Sequence, residues 1–507
     1  MQIPSPFEDS RRLTGPNRYF GEVGVVLESA APARVSDPAL ATWKQLVAHS
    51  CAELGWPTPL LVARPHAGGA SLAFSAPLDQ LFTATEVNEL AWQRACGIAA
   101  QWHAPGFASP HDADSARHCL TAVARAERRP GLMALLAAAT RAGVPFHLDD
   151  ERLSLGEGEG SQAWPLAALP AADAIDWPAL HAVPKAVVTG SNGKTTTVRL
   201  IAAMCRAQGW RTGHSCTDGL FLDGMRLEAG DYSGPVGART LLRHPGVQAA
   251  VLETARGGIL RRGLAVRHAD VAVVTNVSAD HFGEYGIDSL DDLATTKLAV
   301  ANVVDARGRL VLNADDPVLV RQAQGLSVPI AWFALDDDQP VLRDARARGG
   351  ATCGVAGGEL WLTRGTTRVA LGKVASMPLA LGGVAIYNIA NLAGAALAAD
   401  GLGIATGTIA AVLADFGTAS SDNPGRMQRW RLGATTVLLD YAHNPDGLAG
   451  FLRVATALRG DGRLGLALGQ AGNRPDDDIR ALARVAAGFH PGRIVLKDID
   501  GFLRGRK

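Results

Sequence analysis

The run TGSNGKTTT at residues 189–197 constrains this chain more than any other stretch. It follows the apolar run KAVVT and leads into TTTVRLIAAMCRAQ, so it sits at a strand–turn–helix junction. Such a junction suits phosphate. Glycines let backbone N–H groups curl around an anion, and a helix N-terminus favours negative charge. Gly190 and Gly193 meet the first need, with Ser191 and Asn192 between them. Lys194 supplies a point charge for the β- and γ-phosphates, and the Thr195 hydroxyl, followed by Thr196, is placed to ligate Mg²⁺. The usual G-x-x-x-x-G-K-[ST] pattern, however, begins with a glycine where this chain has Val188. The loop is therefore of a different type from that of ordinary GTPases and kinases, and no guanine-reading N-K-x-D follows it.

The rhythm around the loop sets the fold class. From Lys185 short β-rich runs (QAAVLE, DVAVVTN, RLVLN, PIAWFA) alternate with helical segments such as SLDDLATTKLAVANVV. Near-continuous apolar strands separated by helices predict a parallel sheet covered on both faces, with ligands at the carboxyl ends of the strands. Residues 1–182 read as an N-terminal α+β domain with a Gly/Pro-rich linker and no catalytic motif. There GPN at 15–17 marks a turn, and Arg11 and Arg12 read as a solvated pair. Residues 183–423 form the central α/β domain. A break near SSDNPGRMQRW opens a smaller α/β, Rossmann-like domain at 424–507, in which TTVLLD and LGLALG are expected to be buried strands.

Further candidates lie near strand ends. Glu253 closes QAAVLE, and an acid beside a phosphate loop suits Mg²⁺, which prefers oxygen ligands. Arg256, Arg261 and Arg262 follow as guanidinium forks for a carboxylate or phosphate, or equally as surface ion pairs. Asp280 and His281 lie just past DVAVVTN. Lys297 falls on the next helix, where composition alone leaves it a solvated charge.

Composition narrows the function class. Lys+Arg and Asp+Glu are equal at 49 each, which gives no bias toward nucleic acid or acidic membranes. The six cysteines include no C-x-x-C pair, which argues for free thiols rather than a zinc site or disulfide framework. The first residues lack the apolar core of a secretory signal and no run is long enough to span a bilayer, so a soluble cytoplasmic protein is expected.

Taken together, the motifs resemble the Mur ligase superfamily of ATP-dependent amide ligases. TGSNGKTTT is similar to that family's TGTNGKT loop, which also lacks the first glycine. The resemblance continues in order through LETARGG (252–258), TNVSADH (275–281), Lys297, VLNADDP (311–317), YNIANLAGA (387–395), NPGRMQ (423–428) and DYAHNPDGL (440–448). LETARGGILRRGL and the DDDIR…LRGRK ending most resemble the Mur-like domain of cyanophycin synthetase. SRRLTGPN (10–17) and the segment ending in LGEGEGS (155–161) resemble that family less sharply. Two departures stand out. Too little chain separates LGEGEGS from the loop for the ATP-grasp domain of cyanophycin synthetase, and the last domain looks shortened.

The resemblance implies a reaction in which ATP turns a carboxylate into an acyl phosphate that an amine then attacks. It implies ATP and Mg²⁺ as cofactors, with Thr195, Glu253 and His281 as Mg²⁺ ligands. Lys297 matches a lysine that is carbamylated in many members. Lys194, Lys297 and His281 would carry the chemistry. Asn388 and Asn391 would contact adenine, although Tyr387 replaces a common histidine beside them. Arg426 and Asp440 would meet the γ-phosphate and ribose, His443 and Asn444 would line the cleft, and Asn473 and Arg474 would meet the amino acid. The implied substrates are an amino acid and an acidic peptide or amino-acid acceptor, whose carboxylate would meet Arg256, Arg261 and Arg262. Domain closure is expected to hinge at SSDNPG. The other reading is a non-catalytic nucleotide-binding partner of a cyanophycin-synthetase-like enzyme.

Overall fold

The computed structural model describes residues 5–30, 35–98, 102, 112–280, 282–469 and 476–497. The chain opens with a four-stranded antiparallel sheet of order β1-β2-β4-β3, built from β1 (Phe7–Leu13), β2 (Gly24–Ser29), β3 (Leu61–His66) and β4 (Gly69–Ser75). Helices α1 (Asp37–Glu53), α2 (Leu81–Ala95) and α3 (Ala113–Glu127) accompany it. The Ser36 side chain caps α1, and Pro38 sits in its first turn, where a missing N–H costs nothing. Trp43, Trp92 and Phe74 fill the core of this α+β body, where the Trp43 indole donates to Asn88 at 2.8 Å. A second cluster forms around α4 (Pro130–Arg141) and the three-stranded sheet β5 (Phe146–Leu148), β6 (Arg152–Leu155) and β7 (Gln162–Pro165).

Arg11 is not solvated as the sequence suggested. It is 7% exposed and pairs with Glu28 and Asp9, both at 2.6 Å. Strand alternation turns Arg11 inward and leaves Arg12 outside, a difference that a dipeptide does not reveal. The GPN turn is present, with the Asn17 side-chain oxygen accepting from the N–H groups of Tyr19 and Phe20.

Beyond the linker come β8 (Lys185–Thr189), α5 (Lys194–Ala207), β9 (Thr212–Cys216), β10 (Gly219–Leu222), β11 (Met225–Ala229), α6 (Pro235–Leu242), β12 (Ala249–Glu253), α7 (Arg256–Arg262), β13 (Val271–Val274) and α8 (Leu290–Leu298). They are followed by β14 (Arg309–Asn313), α9 (Pro317–Ala323), β15 (Ile330–Phe333), α10 (Pro340–Ala347), β16 (Ala351–Ala356), β17 (Glu359–Arg364), β18 (Thr367–Lys373), α11 (Ile386–Gly401) and α12 (Thr406–Asp415). Two compact units result. One comprises Met1–Thr189, Arg211–Ala272 and Phe282–Gly308; the other comprises Gly190–Trp210, Val273–His281 and Arg309–Lys507.

In the first unit β12 runs parallel to both β8 and β9, as the apolar runs predict, while β9, β10 and β11 are antiparallel. In the second, β14, β15 and β16 are parallel, while β16, β17 and β18 are antiparallel. The antiparallel flanks depart from the all-parallel expectation. Asp223-Gly224 and Gly357-Gly358, all at positive φ, make tight hairpins between consecutive strands.

Lys185 starts β8 fully buried, with its ammonium 2.7 Å from Glu157, whose other oxygen lies 3.1 Å from His147 Nε2. Burial alone would raise the Glu157 pKa, but Lys185 and then His147 outweigh it and hold the carboxyl below its ordinary value.

The last segment holds the hairpin β19 (Gln428–Leu432) and β20 (Thr435–Leu439), then α13 (Pro445–Arg459), β21 (Gly465–Leu468), α14 (Asp476–Gly488) and β22 (Arg493–Leu496). β21 and β22 are parallel, and Leu448, Leu452, Leu466 and Leu482 form the core. The expected buried strands are mostly uncovered: Leu439 is 49% exposed and Ala467 also faces out. Each belongs to a sheet of two strands, which leaves part of its surface open to water. All six cysteines are free, and no helix among the described residues is long and apolar enough to cross a membrane.

Candidate active site

The phosphate-loop unit contains the most fully built part of the site. Gly193 begins α5 at φ 83°, and a Cβ there would lie 2.2 Å from Asn391 Oδ1. A Cβ on Gly190, at φ 150°, would lie 1.8 Å from Thr275 Oγ1. Both positions thus need glycine for backbone and for space.

Neutral groups hold the loop in shape. The Ser191 N–H donates to the Asn276 carbonyl (2.9 Å) and its hydroxyl to that of Ser278 (3.0 Å). The Asn276 side chain accepts from the Asn192 N–H (2.9 Å) and donates back to the Asn192 carbonyl (3.0 Å), which also accepts from Thr275 Oγ1 (2.6 Å). The Lys194 ammonium folds over the loop onto the Ser191 carbonyl at 3.0 Å. Asn313 and Asp316 brace the strand end beneath by binding the Thr275 carbonyl and the Val277 N–H.

The family-implied residues of the final segment meet this loop. Arg426 Nη2 lies 3.5 Å from the buried Thr195 hydroxyl, and Arg426 stacks at 4.5 Å over Tyr441. Asn444 donates to the Asn192 side chain (3.0 Å), whose amide donates to Asp446 (3.0 Å). Asn423 donates to Thr196 Oγ1 (3.2 Å) and accepts from Arg199 (3.1 Å). His443 Nε2 is 3.8 Å from Asp280.

Other assignments look different in three dimensions. Asn388 donates to the Leu379 carbonyl and accepts from Asn391, so both amides are engaged within the protein. Leu379 lines a cavity of about 330 Å³ with Leu381, Asn423, Arg426, Met427 and Trp430. Tyr387 is buried among Met427, Val454 and Phe451, and burial, then Asp440, raises its pKa. Asp440 accepts from the N–H groups of Met427 (2.8 Å) and Ala442 (2.9 Å), and burial raises its pKa.

In the other unit Glu253 is 1% exposed at the end of β12 and accepts from the Thr217 hydroxyl at 2.9 Å. Lys297, expected from composition to be solvated, is 3% exposed on α8. Arg256 pairs with Glu284 at 2.5 Å, and Arg261 Nε lies 3.2 Å from the Tyr285 hydroxyl. Arg262 is exposed, and its carbonyl accepts from Thr14 N–H. His281, Asn473 and Arg474 lie outside the described residues. Sequence reasoning missed Asn276, Asp316 and Asn423 as scaffolding residues. Each sits in a polar turn just past an apolar strand or beside Pro-Gly, a signal the sequence contained.

Sequence comparison agrees with this architecture. The Mur ligase middle-domain family matches residues 188–399, and the Mur ligase, glutamate ligase domain matches residues 425–496. Cyanophycin synthetase of Geminocystis herdmanii is 39% identical over 327 residues, covering 64% of this chain and 37% of that protein. The Synechocystis sp. cyanophycin synthetase gives the same identity over 324 residues. The UDP-N-acetylmuramoyl-L-alanyl-D-glutamate--2,6-diaminopimelate ligase of Chlorobaculum tepidum is 30% identical over 311 residues, covering 59% of this chain and 58% of that protein. This chain thus spans little more than a third of the length of the cyanophycin synthetases it matches. With both domains matched in order, and the phosphate loop and Glu253 within the first, the chain belongs to the Mur ligase family.

Proposed function

We propose that this protein is an ATP-dependent amide ligase that joins the amine of an amino acid to a carboxylate of an acidic peptide or amino-acid acceptor. The observation that carries this reading is the glycine loop with Lys194 folded over it and Arg426 beside Thr195. The named activities of the relatives point the same way.

On this reading an acceptor carboxylate oxygen attacks the γ-phosphorus of ATP, ADP leaves, and an acyl phosphate forms. The amine nitrogen then attacks the acyl carbon, phosphate leaves, and the amine releases a proton. Lys194 and the loop N–H groups hold the phosphate charge as it moves. The adenine takes the cavity beside Leu379 and Trp430, whose volume is in the range of small-molecule sites. Arg256, Arg261 and Arg262 receive the acceptor, with His443, Asn444, Asn473 and Arg474 assigned to the substrate side.

Thr195, Glu253 and His281, with Lys297, form the proposed Mg²⁺ environment. The hydroxyl and carboxylate oxygens among them suit a hard cation that binds through few protein carboxylates plus phosphate. Among the described residues no group of three or more His, Cys, Asp or Glu forms a denser metal site. When bound, the ion would neutralise charge on the phosphates. We place the reaction in the cytoplasm, where ATP and free thiols coexist.

The test is a phosphate-release screen of all amino acids against aspartyl and glutamyl peptides, with mass spectrometry of the products. A ligase releases phosphate only with the right pair and yields an acceptor heavier by one aminoacyl residue. Phosphate release independent of both substrates would refute the reading.

A further inference from the structure

The N-terminal α+β body contains no catalytic motif, yet one of its side chains holds two elements close to the proposed acceptor residues. Arg64, on β3, donates from Nη2 to the carbonyls of Tyr285 (3.1 Å) and Gly286 (2.6 Å). From Nη1 it donates to Asp292 at 3.1 Å. Asp292 belongs to the first turn of α8, where it exchanges hydrogen bonds with the capping Ser289 (2.8 and 3.1 Å). One guanidinium therefore ties the loop at residues 282–288 to the start of the helix that bears Lys297. The Ala67 N–H adds a bond to Asp288 at 3.1 Å.

That loop in turn reaches the arginine helix. Glu284 pairs with Arg256, and the Tyr285 hydroxyl meets Arg261. Arg11 of β1 stacks at 4.3 Å over the Tyr285 ring, while its Nε donates to the Leu260 carbonyl in the last turn of α7 at 2.9 Å. The backbone of the loop is unusual. Tyr285 and Gly286 are both left-handed, at φ 55° and 62°. A bulky residue holds that conformation only where its surroundings enforce it. A Cβ on Gly286 would lie 2.4 Å from Arg64 Nη2 and 2.4 Å from His66, so the glycine leaves room for the clamp.

We propose that Arg64 is a positioning residue for the ligase reaction. Through it the N-terminal sheet fixes the 282–288 loop and α8, and thereby aligns Arg256 and Arg261 for an acceptor carboxylate. The N-terminal body is then part of acceptor recognition. This inference rests on the ligase reading above.

The test compares the full-length wild type with Arg64→Lys, Arg64→Ala and Gly286→Ala. Amide hydrogen exchange needs no substrate. It is expected to accelerate on the order of tenfold across residues 282–298 in both alanine variants while residues 185–208 keep their protection. With the aspartyl or glutamyl peptide that the wild type uses best, the acceptor KM is expected to rise on the order of 10- to 100-fold. The ATP KM stays within about twofold, and Arg64→Lys falls between, because an ammonium cannot reproduce the fork. Unchanged exchange at 282–298, an unchanged acceptor KM, or both KM values held while kcat falls only with the folded fraction would overturn the proposal. Absence of any wild-type activity would remove the ligase reading, and the exchange result would still decide the clamp.

Discussion

The phosphate loop and the 282–288 loop are both fixed from outside, but by opposite kinds of chemistry. Serine, threonine and asparagine side chains and backbone groups hold the first, leaving Lys194 as the cation nearest its centre. Guanidinium groups from β1 and β3 hold the second, each matched to carbonyls or carboxylates. A scaffold of carboxylates around the phosphate loop would repel the ligand, so neutral donors and acceptors suit it. The acceptor side carries guanidiniums, and each scaffold cation needs an acid or a carbonyl because an uncompensated partly buried charge is costly.

The largest expected effect falls on the phosphate side. Lys194→Ala should lower the rate of substrate-dependent phosphate release by roughly 10²–10³-fold, read by a continuous phosphate assay. A variant that keeps full rate would mean the loop cation is not part of the chemistry.

Next comes the ion network at the start of β8. Glu157→Gln leaves Lys185 buried without its carboxylate and should cost about 3–5 kcal/mol in urea unfolding. The sign with pH follows from the lowered pKa of Glu157. Its contribution is present above the unfolded value of about 4.5 and is lost as pH falls through the lower folded value. Wild-type stability should therefore fall below about pH 4.5 more steeply than that of the glutamine variant.

A smaller effect is expected from Gly193→Ala, about 1–3 kcal/mol, since φ 83° and Asn391 both oppose a methyl group. Thermal melting with and without nucleotide would show it, along with weaker nucleotide stabilisation. Smallest is Asn276→Ala, about 1–2 kcal/mol, which removes one donor and one acceptor from Asn192. If Asn276→Ala costs more than Glu157→Gln, neutral bonds hold the loop more firmly than buried charge holds β8, and the contrast between the two scaffolds is reversed.

How much of this was legible in the sequence follows the range of the interactions. The phosphate loop was readable because glycine, lysine and threonine act within a few residues of one another, and the strands around it are continuous apolar runs. The hairpins at Asp223-Gly224 and Gly357-Gly358 carried a local signal that the alternating pattern masked. Arg11, Arg64 and Lys297 were not readable. A single arginine or lysine in a polar stretch looks solvated, and what buries Arg11 and engages Arg64 is a partner more than two hundred residues away in the chain. The exposed β20 and β21 misled in the opposite direction, because an apolar run gives no count of the strands that will cover it.

The claim that the γ-phosphate is transferred to a carboxylate is tested most directly by oxygen labelling. The acceptor carboxylate is labelled with ¹⁸O, the ligation is run with ATP and the amino acid, and the released phosphate is weighed by mass spectrometry. An acyl phosphate intermediate predicts one ¹⁸O atom in each phosphate, because the carbon–oxygen bond of the acceptor breaks when the amine attacks. Unlabelled phosphate, with the amide formed, would contradict the account.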